Sequence, residues 1–156
     1  MQYVVVVGID QSPMSRFTLQ EAFKLVSGRG QLHVVRCVEE GPLAEHAPHS
    51  SDDPQTPPDF RHELAEFVAE LNTEQVPLEL HLLFGGPPQD QLCALASKLT
   101  ADVLIVGAQG ERGYSRMWIG SCAESVVRNA PCSVLLVRPK ASRSSSSLPA
   151  SQSSPT

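Results

Sequence analysis

Apolar and polar positions along the 156-residue chain alternate between short buried runs and helical stripes. Val4-Val5-Val6-Val7 is apolar at consecutive positions, as in a strand buried on both faces, and the run ends at Gly8-Ile9-Asp10. Leu19, Ala22, Phe23 and Val26 then fall at i, i+3, i+4 and i+7, the stripe of a helix laid on a sheet. Ser12 or Ser15 is its expected N-cap, and Gly28 with Gly30 its stop. Leu32 to Val38 reads as a second strand, less uniformly apolar because of His33 and Arg36. Phe60, Leu64, Phe67, Val68 and Leu71 predict a helix capped by Asp59. Leu78 to Phe84 alternates in its first half, which predicts a strand with one wetter face, nearer an edge. Pro87-Pro88 suits a first helical turn, continued by Leu92, Leu95, Ala96 and Leu99. Val103-Leu104-Ile105-Val106 is again apolar on both faces. Ala123, Val126, Val127 and Ala130 form the last stripe, and Ser133 to Val137 the last strand.

Strand and helix alternating through five strands specify an α/β fold with a five-stranded, parallel, doubly wound sheet. The first and fourth runs are the most uniformly apolar and belong at the centre. Right-handed crossovers, with a reversal after the third strand, then imply the order 3-2-1-4-5. Ligands bind such sheets beyond the carboxyl ends of the strands, where the direction reverses, here between strands one and four. Asp10 and Gly107 end those two strands and so face that crevice.

Two stretches leave the pattern. Residues 39–58 are rich in acids and proline, hold His46 and His49, and carry no lysine or arginine. They read as a long surface loop, with the irregular histidine spacing favouring solvated rings over metal ligands. Residues 141–156 are almost all Ser, Pro, Ala and Gln, too polar to order themselves, so a folded domain of 1–140 is expected to carry a disordered tail. The net charge of -5 argues against non-specific nucleic-acid binding. No run approaches the length of a membrane span, and Met1-Gln2-Tyr3 leads straight into a strand, so the expected location is the cytoplasm. The cysteines at 37, 93, 122 and 132 form no C-x-x-C pair, and small buried thiols are expected.

The candidate chemistry lies between the fourth strand and the last helix. Gly107, Gly110, Gly120 and Ser121 form a G-x2-G-x9-G-S pattern, which is neither the Walker A nor the dinucleotide glycine pattern. Glycines let a ligand approach the backbone closely, and the free N–H groups of a helix N-terminus attract an anion, most often phosphate. Arg112 and Arg116 are open between neutralising a triphosphate and lying on a solvated loop. Two plainer readings also stand open: the glycines shaping a βα loop with Ser121 as a cap, and Cys122 as a redox-sensitive thiol at the dipole.

The glycine pattern resembles the ATP-binding fingerprint of the universal stress protein family. The resemblance extends to V-x-G-I-D-x-S-x-x-S at 6–15, Gly86-x-Pro88-x-x-x-Leu92, A-D-V-L-I-V-G at 101–107 and A-P-C-S-V-L-L-V-R at 130–138. The last departs from the commonest form only at Ser133, where proline is usual. Covering residues 1 to 139 or so, it implies a Rossmann-like, adenine nucleotide alpha-hydrolase-like fold that binds ATP, with Mg²⁺ held by phosphate and water and not by dedicated metal residues. It further implies Asp10 on the adenine side, with Ile9 and Val38 beside base and ribose. Gly107, Gly110, Gly120 and Ser121, with the N–H groups of Cys122 and Ala123, would cradle the phosphates. A homodimer through strand 133–137 and a nucleotide-dependent role in the stress response also follow from the resemblance. No general base is placed for the γ-phosphate and no Walker lysine is present, so no catalytic residues are assigned and hydrolysis is expected to be slow at most. A nucleotide-independent interaction module and a slow ATPase are the competing readings.

Overall fold

A computed structural model describes residues 2–10, 12–38, 58–109 and 119–140, with only the backbone at Pro58 and Asp59. The tail, most of the acidic loop, and the glycine-motif loop from Gly110 to Trp118 lie outside the described residues. The apolar patterns become β1 (Tyr3–Ile9), α1 (Met14–Val26), β2 (Gly30–Val38), α2 (Pro58–Leu71), β3 (Leu78–Phe84), α3 (Pro88–Lys98), β4 (Val103–Gly107), α4 (Ser121–Asn129) and β5 (Ser133–Val137). All four strand pairings are parallel and the order is β3-β2-β1-β4-β5. The doubly wound sheet expected from the sequence is therefore present, with β1 and β4 inside and the half-wet β3 at an edge.

Strand periodicity sorts the core onto two faces. Val5, Val7 and Ile9 turn to one side, where they pack with Leu19 and Phe23 of α1 and Leu64 and Val68 of α2. Val6, Leu104 and Val106 turn to the other, against Leu92, Leu95 and Ala96 of α3 and Ala123 and Val126 of α4. Each such aliphatic side chain gains about 1.5–3 kcal/mol on leaving water, which is what holds both helical layers to the sheet.

Local details depart from the sequence reading in four places. The N-cap of α1 is Pro13, with no side-chain cap, because the Ser15 hydroxyl is engaged by Asp10 and Ser12 contributes its carbonyl to the Ser15 N–H. Gly28 does end that helix region, at φ +81°, whereas Gly30 already belongs to β2. Helix α2 begins at Pro58, so Asp59 lies inside its first turn and Pro58 is helical, not part of the loop. Val127 is 51% exposed, because α4 covers the sheet with Ala123 and Val126 and turns Val127 outward.

Candidate functional site

The crevice predicted at the reversal of strand order has a visible backbone cause. At the amino ends, β1 and β4 are clamped: the Val4 N–H donates to Asp102 Oδ2 at 2.7 Å, and the Asp102 N–H donates to the Val4 carbonyl at 2.9 Å. Their ladder then runs only from Val5–Val103 to Val7–Ile105, although the strands continue to Ile9 and Gly107. Each strand stays paired on its other side, Ile9 with Arg36 and Gly107 with Val137. The two central strands thus part over their last two residues, which opens the sheet where a ligand can enter.

Asp10 stands at this opening, exposed, and the residues after it fold back on its carboxylate. Oδ1 accepts the Ser12 N–H at 2.8 Å and the Ser15 hydroxyl at 3.0 Å, while the Asp10 N–H donates to Ser15 Oγ at 2.9 Å. Ser15 Oγ also contacts the Asp10 carbonyl. Aspartate bonding its own backbone two residues on is a local turn device, and it fixes the side-chain rotamer. Both bonds fall on Oδ1, so Oδ2 keeps its acceptor capacity for a further donor.

Beside Asp10 lies a cavity of about 240 Å³ lined by Ile9, Asp10, Ser12, Arg36, Glu63, Leu64 and Phe67. Ser12 is 7% exposed and its hydroxyl oxygen has no hydrogen-bond partner among the described residues, a cost that a bound donor or acceptor would remove. Arg36, 9% exposed, shares a face with Ile9 across the ladder. Its guanidinium pairs with Glu63 at 3.1 Å and lies 5.1 Å from the centre of the Phe60 ring. An ion pair and a cation–π contact together let this largely buried charge line the cavity beside Ile9, Leu64 and Phe67.

On the other side of the opening, Ala108 ties three elements together. Its N–H donates to the Val137 carbonyl at 2.8 Å and its carbonyl accepts the Gly120 N–H at 2.7 Å. Gly120 is the N-cap of α4, and the first intrahelical bond runs from the Glu124 N–H to the Gly120 carbonyl. The N–H groups of the first turn precede that bond and point out of the helix end. Ser121 is exposed, Cys122 half-buried and Ala123 buried. The macrodipole places positive potential here, where an anion fits.

Ile9, Asp10, Gly107, Gly120, Ser121, Cys122 and Ala123 therefore all stand at the carboxyl end of the sheet, around β1 and β4. Gly110, Arg112 and Arg116 lie outside the described residues. Val38 is 8% exposed within the core that includes Phe84, and it is not among the described residues lining the cavity. Arg36 occupies the β2 position beside Ile9 instead. Gly107 has ordinary backbone geometry; a Cβ there would come within 3.1 Å of Thr18 Oγ1 and 3.3 Å of Met14 Cβ, so its smallness admits α1. The roles of Ser12, Arg36, Glu63 and Phe67 escaped the sequence reading. The available signal was parity: Arg36 follows Leu32 and Val34 onto the apolar face of β2. The four cysteines are half-buried and lie outside any disulfide, and burial pushes the Cys93 and Cys132 thiols up, away from reactivity.

Among the described residues no helix is long and apolar enough to cross a membrane. The chain is similar to a putative universal stress protein of Staphylococcus haemolyticus, 26% identical over 137 residues that cover 86% of this chain and 83% of the relative. In fold it is similar to a universal stress protein crystallised in complex with cAMP, with a TM-score of 0.60 at 23% identity, covering 87% of this chain and 96% of that one. It is likewise similar to a universal stress protein from Archaeoglobus fulgidus in complex with dAMP, with a TM-score of 0.59 at 20% identity, covering 88% and 98%. Residues 3–138 match the family model described as the universal stress protein family, and the chain belongs to that family.

Proposed function

We propose that this universal stress protein binds an adenine nucleotide, ATP with Mg²⁺ in the first instance, and that the bound state is its regulatory signal in the cytoplasm. The observation that carries the reading is the parting of β1 and β4 at Val7–Ile105, with the braced Asp10 carboxylate on one lip and the α4 N-terminus on the other. Asp10 Oδ2 would accept from the base or ribose, and the unpartnered Ser12 hydroxyl would find its partner there. Ile9 would lie against the apolar face of the nucleoside, and Val38 would support that wall from the core. Gly107, Gly110, Gly120 and Ser121, with the Cys122 and Ala123 N–H groups, would receive the phosphates. The similar structures holding cAMP and dAMP make adenine the base to test first.

Calorimetry of the full chain with ATP, AMP, cAMP and GTP tests the reading, alongside mass spectrometry for nucleotide carried through purification. Adenine nucleotides should bind more tightly than GTP. Absence of binding by any of them would leave the nucleotide-independent interaction module as the better account.

The same proposal includes a homodimer through β5. This edge strand leaves Leu135 38% exposed, and an apolar strand edge invites pairing unless covered. Leu135→Lys should convert dimers to monomers in light scattering. A wild-type chain monomeric at micromolar concentration would remove this part of the reading.

A further inference from the structure

Away from the crevice, the ladder between β2 and β3 gathers three potential ligands that lie 46 and 48 residues from one another's strand in sequence. His33 is the register partner of Glu79, and His81 stands two residues beyond Glu79 on the same face of the sheet. His33 Nδ1 lies 2.9 Å from His81 Nε2 and 3.5 Å from Glu79 Oε2, and His81 Nε2 lies 3.9 Å from that same oxygen. Three such separations define a point about 2.0 Å from all three atoms, which is the length of a zinc–imidazole or zinc–carboxylate bond.

We propose that His33 Nδ1, His81 Nε2 and Glu79 Oε2 form a binding site for a divalent transition metal of the zinc class. A tetrahedral ion sits slightly out of the plane of three ligands and keeps its fourth position for water or another donor. Two imidazoles and one carboxylate suit zinc far better than Mg²⁺ or Ca²⁺, which take oxygen ligands. The surroundings supply the outer support such sites need: the Gln31 amide donates to the other carboxylate oxygen, Oε1, at 3.2 Å. Access is graded, since His33 is 2% exposed while the Glu79 side chain is 58% exposed, so an ion can enter from solvent and end against a buried ring. Burial favours the neutral His33 imidazole, opposed by the Glu79 charge. Coordination requires each ring to carry its proton on the nitrogen facing away from the ion, His33 on Nε2 and His81 on Nδ1. With no metal, the short contact between the rings is a hydrogen bond in which one facing nitrogen holds the proton.

The site would clip the edge strand β3 to β2, and an ion bound only by the folded chain raises its stability. The test uses the full chain stripped with a chelator, titrated with Zn²⁺ against a chromophoric competitor, and with Co²⁺ for its four-coordinate visible absorption. One equivalent should bind with micromolar or tighter affinity, and the thermal midpoint should rise with Zn²⁺. His81→Ala and Glu79→Gln fall on an edge strand, at a half-buried and an exposed position, and should keep the fold, as circular dichroism will check. Each should weaken binding by at least the roughly 10–100-fold seen on losing even an outer-shell partner, and abolish the midpoint rise. Replacing His46 and His49 together by alanine should leave zinc affinity unchanged. Affinity untouched in both His81→Ala and Glu79→Gln, or no binding in tenfold excess of zinc, overturns the proposal and leaves a hydrogen-bonded histidine pair.

Discussion

The sheet holds polar chemistry in two places of opposite construction. At the carboxyl end, β1 and β4 separate, and the groups that face the opening come largely from one short segment, Ile9 to Ser15, braced by its own backbone. Along β2 and β3 the strands stay paired through seven register positions, and the polar groups meet because the ladder sets them side by side. The first arrangement makes room by ending a ladder; the second makes a cluster by keeping one. A site of the first kind is carried by contiguous residues and is portable between sequences. A site of the second kind exists only once the register is set, since a slip of one residue would send His33 and Glu79 to opposite faces.

The largest effect that separates the two is expected from Gly120→Val. It should lower affinity for every nucleotide by roughly 100-fold or more, by blocking charge-assisted bonds to the first-turn N–H groups of α4. The fold should survive, because Gly120 has φ −62° and ψ 152°, a conformation open to any residue, and its N–H bond to Ala108 needs no side chain. Calorimetry with ATP, AMP and GTP reads the loss; retained ATP affinity would detach the glycine motif from nucleotide binding.

Next in size is Asp10→Ala, which should weaken ATP by about 1–3 kcal/mol and narrow the margin between adenine and guanine nucleotides. Asp10→Asn is the sharper variant. It preserves an acceptor for the Ser12 N–H and the Ser15 hydroxyl but replaces Oδ2 by a donor. Base preference should change while the thermal midpoint holds. An equal loss of stability and affinity in both variants would mean that Asp10 serves the turn alone.

The smallest and most diagnostic effect is Ser12→Ala. Deleting a buried hydroxyl that has no partner among the described residues should leave the ligand-free protein unchanged or more stable by up to about 1 kcal/mol, while reducing nucleotide affinity. Chemical denaturation with and without ATP measures both. Destabilisation of the ligand-free protein would show that the hydroxyl is already bonded there.

The strand order, the central place of β1 and β4, and the position of the crevice were legible because runs such as Val4–Val7 and Val103–Val106 state their burial directly. Asp10 and Gly120 were legible because each sits in a contiguous motif. Arg36 was not, since its acceptance into an apolar face depends on Glu63 and Phe60, supplied by a helix 24 or more residues further along. The His33, Glu79 and His81 set was hidden for the same reason: no spacing within either strand marks a ligand pair, and only the ladder brings them together. Boundaries shifted where side chains had alternatives, as when Ser15 turned to Asp10 and left Pro13 to begin α1.

Gly107 bears on how such families are compared. Its hydrogen faces Met14 and Thr18, so a larger residue would make the first helix give by a few tenths of an ångström whether or not any ligand is bound. A lineage that abandoned nucleotides would still be held to glycine at this point by its fold, and its presence is weak testimony about binding. Gly120 and Ser121 differ: one has a backbone conformation open to any residue and the other an exposed side chain. They are the positions free to drift once the ligand is gone, and a binder is better told from a descendant that has lost binding by these two than by the glycine at the strand end.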